Sequence, residues 1–300
     1  MVNNVLTQET LGLTILDKLF LNIARGLLGF LFRYRIKAAN KLFASTEHSY
    51  GEHYQECLQV FEGDQNKTPI IFIHGGGWIF GHMRSVAIGH GHFIDEGYPI
   101  FNINYPLAPE KPFPNALVSS LKSLLWIKER YPNIKSVHLM GDSAGGNLAA
   151  MVGLLISNPE EMKTYEQYIP GLKSEDFPEV KSIVSIYGIM DRGTMIGPTV
   201  VNSIMRLYAG DRCMEDTAPK DLRITPLDYK WQNVPPMYLA AAEKDPLTKS
   251  SKLANTYFKQ TCKKLDFKTY PGVFHGFYEE PKKNESTKMK RDIVEFMESI

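Results

Sequence analysis

Beyond about residue 55, short apolar runs alternate with longer stretches in which apolar positions recur every three or four residues. The runs at 57–61, 70–73, 99–105, 136–140, 182–187, 237–242 and 267–270 read as strands. Those at 115–130, 144–157, 250–264 and 287–300 read as helices; in the last, Met289, Ile293, Val294, Met297 and Ile300 share one face. Ile-Ile-Phe-Ile at 70–73 is apolar at every position, as in a strand covered on both sides. The alternation predicts an α/β fold with a mostly parallel central sheet flanked by helices.

Three stretches break the rhythm. Between 11 and 32 the chain is strongly apolar, but Lys18, Asn22, Arg25 and Gly29 recur at helical spacing as a narrow polar stripe. Leu16, Leu19, Phe20, Ile23, Leu27, Phe30 and Leu31 fill the rest of the wheel. Asp17, Lys18 and Arg25 keep the uncharged runs well short of the roughly 20 residues a membrane span needs. No basic segment precedes the stretch and no small-residue cleavage site follows it, as a signal peptide would require. The expectation is an amphipathic helix whose broad apolar face docks on the protein body. The segment 158–179, rich in Glu and Lys, reads as a solvated insertion. The segment 188–231 carries Met190, Met195, Ile196, Met205, Leu207 and Tyr208 without a period, and reads as a lid or binding segment.

Composition narrows the function class. A chain of 300 residues, 43% hydrophobic and 22% charged, is an ordinary folded protein that needs neither disulfides nor a metal to hold together. Its 34 basic and 33 acidic residues leave a net charge of +1, with no electrostatic reason to expect a nucleic-acid partner. Cys57, Cys213 and Cys262 are odd in number and far apart, which predicts buried free thiols in a reducing compartment, the cytoplasm.

Chemistry concentrates in two glycine-rich segments. Gly141-Asp142-Ser143-Ala144-Gly145 lies between a strand and a helical run, where a strained turn would leave the serine hydroxyl exposed above the sheet. His74-Gly75-Gly76-Gly77-Trp78 follows the strand at 70–73. Its amides, with that of Ala144, suit an oxyanion hole; a phosphate-cradling loop is the alternative, but no GK[ST] or GxGxxG follows. Among eight histidines, His48 and His53 precede the expected sheet and His74 belongs to the glycine loop. His82, His90 and His92 have no acidic or thiol ligand at metal-binding spacing, and His138 lies within a strand. His275 remains, after the last strand, where the Ser…Asp…His order of α/β-hydrolases places the base. The acid should end a strand between the two. Asp245 does so; Glu243 is its nearest rival, while Asp216, Asp221 and Asp228 fall in the irregular stretch.

Further segments sharpen this. Tyr105-Pro106-Leu107-Ala108-Pro109-Glu110, Pro112-Phe113-Pro114, Asp245-Pro246-Leu247 and Val273-Phe274-His275-Gly276-Phe277 join the two glycine segments. Over roughly residues 70–280 the chain resembles the hormone-sensitive-lipase-like family of carboxylesterases. The resemblance implies an α/β-hydrolase fold with a helical cap: residues 1–50 as cap helices, 51–300 as the catalytic domain. It further implies hydrolysis of short- to medium-chain acyl esters without cofactor or metal.

The expected site is then Ser143, Asp245 and His275 for catalysis, with Gly75, Gly76, Gly77 and Ala144 as oxyanion hole. Trp78, Phe80 and Asp142 are expected against the substrate. Pro106, Asn104 and Lys249 depart from the family pattern, and Pro106 leaves open which group balances Asp142. An amidase or deacetylase with the same three residues, or a catalytically silent binding protein, are the alternatives. The expected partner is a small acyl ester; peripheral membrane contact through Arg33, Arg35, Lys37 and Lys41, and a homodimer, stay open.

Overall fold

The computed structural model describes Thr7, Glu9 and residues 11–195, 200–211 and 223–300. Cys213, Ile196, Asp216 and Asp221 lie outside the described residues.

Among the described residues, eight strands form one sheet: β1 (Thr46–Ser49), β2 (Cys57–Phe61), β3 (Ile70–Ile73), β4 (Ile100–Ile103), β5 (Ser136–Asp142), β6 (Glu179–Ile186), β7 (Met237–Ala242) and β8 (Leu265–Tyr270). Their order across the sheet is β1-β2-β4-β3-β5-β6-β7-β8. β2 runs antiparallel to β1 and β4; every other pairing is parallel. The helices are α1 (Ile15–Leu42), α2 (Met83–Val86), α3 (Gly91–Asp95), α4 (Asn115–Arg130), α5 (Ala144–Ser157), α6 (Pro159–Met162), α7 (Val200–Ala209), α8 (Thr248–Phe258) and α9 (Asn284–Glu298).

Strand periodicity splits the core in two. Ile71 and Ile73 of β3 join one apolar cluster with α4, α5 and α8, while Ile70 and Phe72 join a second with α3 and α9. α5 is apolar all round and nearly all buried, because the sheet, α4 and the chain around 224–229 enclose it. Since β4 and β5 lie on opposite sides of β3, the crossovers after β3 and β5 diverge. That leaves a crevice above their carboxyl ends, where open parallel sheets bind ligands. Both glycine-rich segments emerge there.

Several expectations are corrected. The sheet already begins at β1, inside the segment assigned to cap helices, and the described residues of that segment hold one long helix. The 158–179 insertion is not simply solvated: Met162, Tyr165 and Phe177 are buried under it, and the Tyr165 hydroxyl lies 3.1 Å from that of Tyr229. Cys57 and Cys262 are free but only half-buried.

The largest correction concerns α1. Thr14 and Asp17 form a reciprocal capping box at its start. Its broad apolar face points away from the body; Asp17, Leu21, Arg25, Arg35 and Ala39 point toward it. The body presents carbonyls and charged groups to this helix, and these select polar partners. Arg25 donates to the carbonyls of Ile79 (2.9 Å) and Ala108 (2.8 Å) and pairs with Glu110. Arg35 pairs with Glu279, and Asp17 lies 3.5 Å from Arg206 of α7. Among the described residues, no helix is long and apolar enough to cross a membrane.

Candidate active site

β5 delivers Ser143 into a turn its backbone would not otherwise adopt. The serine has φ 54° and ψ −120°, and its N–H donates to the Ile186 carbonyl at 2.8 Å. Such a conformation stores strain that the surroundings must hold. They hold it by close approach: a Cβ on Gly145 would lie 2.0 Å from the Ile73 carbonyl oxygen, and one on Gly141 2.3 Å from that of Gly145. The glycines therefore let β5, α5 and the end of β3 meet around the serine.

His275 reaches the serine from a loop knitted to the end of β7. Glu243 N–H donates to the Tyr270 carbonyl, Lys244 N–H to that of Val273, and the Glu243 carboxylate accepts from Gly272 N–H at 2.7 Å. His275 Nε2 lies 2.8 Å from Ser143 Oγ, and Nδ1 lies 2.6 Å from Asp245 Oδ2. The other Asp245 oxygen accepts from Leu247 N–H at 2.8 Å, and its side chain is fully buried. Asp245 is thus the acid on the histidine, and Glu243 supports the histidine's loop. Asp228 is occupied with Thr225 and Arg192.

The glycine loop corrects one assignment. Gly75 N–H donates to Asp142 Oδ1 at 2.8 Å, so it is not free for an oxyanion. The N–H groups of Gly76, Gly77 and Ala144 donate to no group among the described residues. Gly76 has φ 116°, and a Cβ there would fall 2.1 Å from the Phe80 carbonyl oxygen. The Tyr105 hydroxyl donates to the His74 carbonyl at 2.8 Å, and burial pushes the His74 imidazole down to about 4.

Two of the three residues expected against substrate are placed otherwise. Trp78 is wholly buried, its indole stacked on Tyr208 of α7 with ring centroids 4.3 Å apart. Asp142 is buried and turned to Gly75, so it positions the glycine loop. Phe80 is half-buried. Burial pushes the Asp142 carboxyl up to about 6, opposed by the Gly75 N–H, His275 and Arg35. Arg35, from α1, is therefore the cation whose field acts on Asp142 where Pro106 offers none.

Three other residues carry the site without having been singled out. Tyr187 directly follows β6, has φ 40°, and sets its ring 4.7 Å from that of His275. Asn147 donates to the carbonyls of Ile189 and Ile224, tying α5 to both ends of the 188–231 segment. Ile204 of α7 sits over the glycine loop, 2.8 Å from where a Gly77 Cβ would lie. Tyr187 had one readable signal, its place at the carboxyl end of a parallel strand.

A family described as alpha/beta hydrolase fold matches residues 70–279. The chain belongs to it, among its hormone-sensitive-lipase-like carboxylesterases. Carboxylesterase NlhH of Mycobacterium tuberculosis is 22% identical over 223 residues, covering 71% of this chain and 67% of that one. Hormone-sensitive lipase of Mus musculus is 32% identical over 120 residues, 38% of this chain and 16% of that one. The crystal structure of esterase B from Lactobacillus rhamnosis superposes with a TM-score of 0.75 at 17% identity, over 95% of this chain and 96% of that one, a likeness of fold alone. The chain is a carboxylic ester hydrolase, and small-molecule esters are the substrate class this family implies.

Among the described residues no three His, Cys, Asp or Glu side chains come together to hold a metal. His82 caps α2, accepting from Arg84 N–H, and Nδ1 of buried His90 lies 2.7 Å from the Tyr278 hydroxyl. His138 lies 2.8 Å from the Ser182 hydroxyl.

Proposed function

We propose that this carboxylesterase hydrolyses short- to medium-chain acyl esters through Ser143, His275 and Asp245 by way of an acyl-enzyme. The continuous relay from Ser143 Oγ through both His275 nitrogens to the buried Asp245 carboxylate carries this reading. His275 Nε2 takes the hydroxyl proton as Ser143 Oγ attacks the ester carbonyl, and the imidazolium formed is stabilised by Asp245. The oxyanion accepts from the N–H groups of Gly76, Gly77 and Ala144. His275 returns the proton to the leaving alcohol, and water, activated by the same imidazole, then releases the acid.

α1 and α7 act as the cap in this reading. Support comes from the Arg25, Arg35 and Asp17 contacts and from the packing of Ile204 and Tyr208 on the glycine segment. Crowding there favours acyl chains of about four to eight carbons, with each further buried methylene worth ~0.8 kcal/mol only while the pocket has room. The half-buried free thiols suit a reducing, cytoplasmic setting.

p-Nitrophenyl esters of increasing acyl length, assayed beside an anilide, test the substrate class. Turnover should peak near C4–C8, and the anilide should react far more slowly. A fluorophosphonate should add once, on Ser143. Labelling elsewhere, or full activity in Ser143→Ala, overturns the assignment.

A further inference from the structure

α1 carries an apolar stripe that its contacts with the body leave uncovered. Leu16, Leu19, Ile23, Leu27, Phe30 and Tyr34 are all exposed, Leu27 at 72% and Phe30 at 83%. At 3.6 residues per turn these six fall within an arc of about 80° and run for about 27 Å along the axis. Exposed apolar surface of this extent on one element marks an interaction site. Lys18, Arg33, Lys37 and Lys41 are exposed on the same helix, and none has an ion pair among the described residues. The one acid of α1, Asp17, is buried on the opposite side.

We propose that this face docks on an anionic lipid surface. The stripe would sit at the boundary between headgroups and acyl chains, and Arg33, Lys37 and Lys41, on and beside it, would meet lipid phosphates and carboxylates, while Lys18 lies on the helix's other flank. Charge decides against a second copy of the chain. Two such faces together would oppose their cations with no acid to answer them, whereas an anionic bilayer neutralises them. The helix stays in the interface plane, because Arg25 and Arg35 hold its other side to the body. Docking also orients the molecule. Arg35 binds Glu279, four residues beyond His275, and Phe274, beside that histidine, is itself 59% exposed. The loop that carries His275 is thereby held to the helix that meets the lipid. The proposal holds independently of the ester chemistry.

The test is sedimentation of the full chain with vesicles of pure phosphatidylcholine and of phosphatidylcholine with roughly a third phosphatidylserine. The wild type should bind the anionic vesicles, bind the neutral ones weakly, and lose binding as salt rises. Leu16→Ser/Leu27→Ser/Phe30→Ser and Lys37→Glu/Lys41→Glu should each weaken partitioning by about tenfold or more. Both should keep lipid-free hydrolysis of p-nitrophenyl butyrate near wild type. Absence of binding, or a triple variant that sediments like wild type, overturns the proposal. So does a wild-type dimer that the triple variant converts to monomer, for then a second copy covers the face. Loss of ester hydrolysis with vesicle binding intact would strike the proposed chemistry and leave this inference standing.

Discussion

Gly145 has no room for a methyl group. The added carbon would meet the Ile73 carbonyl at 2.0 Å, and backbone on both sides cannot yield as a flexible side chain would. Gly145→Ala should therefore cost about 3 kcal/mol or more in urea unfolding and abolish turnover; a variant as stable as wild type would contradict the packing described. The two carboxylates at the end of β7 make a second contrast. Asp245→Asn removes the partner of His275 Nδ1 and should lower kcat by several orders of magnitude, about 10⁴ in the comparable serine-protease change. Glu243→Gln keeps an acceptor for Gly272 N–H and should lose little. Reversal of that ranking would make Glu243 the functional acid. Asp142 is read through pH. Its folded carboxyl, raised by burial to about 6, binds its proton more tightly than the unfolded group at about 3.9. The stability it contributes is full below about pH 3.9 and is lost as pH rises through about 6. Asp142→Asn, which keeps an acceptor for Gly75 N–H, should gain on wild type by about 2–3 kcal/mol between pH 4 and 8 in urea unfolding. A constant difference would mean the carboxyl titrates normally.

At the scale of elements, α1 separates what hydrophobicity reveals from what contacts decide. Its existence was legible in the helical recurrence of apolar residues, but its orientation was not. The wheel predicted the broad apolar face inward, while the carbonyls of Ile79 and Ala108 and the carboxylates of Glu110 and Glu279 draw Arg25 and Arg35 inward instead. Arg25→Ala removes bonds worth about 1 kcal/mol each, so α1 should open locally with amide exchange faster by about tenfold or more. Unchanged protection over 15–42 would show that other contacts hold the helix. Strands were legible where both faces are buried: β2, β3 and β7 fall where the apolar runs at 57–61, 70–73 and 237–242 place them. β1 escaped because Thr-Glu-His-Ser is an edge strand, mostly exposed and with no apolar run to betray it. β8, the other edge, showed only its last four residues, since Asp266 separates Leu265 from the rest of the run. The glycine loop could be located but not apportioned. Which amide faces Asp142 and which face the crevice depends on backbone directions that three identical letters do not encode.

The molecule as a whole joins these pieces through buried polar groups, and their titration makes its stability depend on pH. His74, His90 and His138 are almost fully buried, and burial pushes them down to about 4, about 3 and about 3. In the unfolded chain each takes up a proton near pH 6.5. Between about pH 6.5 and 4 the unfolded state therefore binds more protons than the folded one, and stability falls as pH falls. At pH 5 each histidine accounts for about 2 kcal/mol of loss, so the three together rival a sizeable part of a domain's net stability. Asp142 works in the opposite direction over part of this range, as a single group against three. The sites are spread across the fold: His74 opens the glycine loop, His90 contacts Tyr278 beyond His275, and His138 lies in β5 below the nucleophile. Acid should consequently unfold the molecule as one unit, with activity and urea stability falling together from pH 6.5 to 5. His138→Gln, which can still bond to the Ser182 hydroxyl, should flatten that slope by about one proton. A variant whose urea stability keeps the wild-type slope would show that His138 takes up its proton equally in the folded and unfolded states, and that acid sensitivity arises elsewhere.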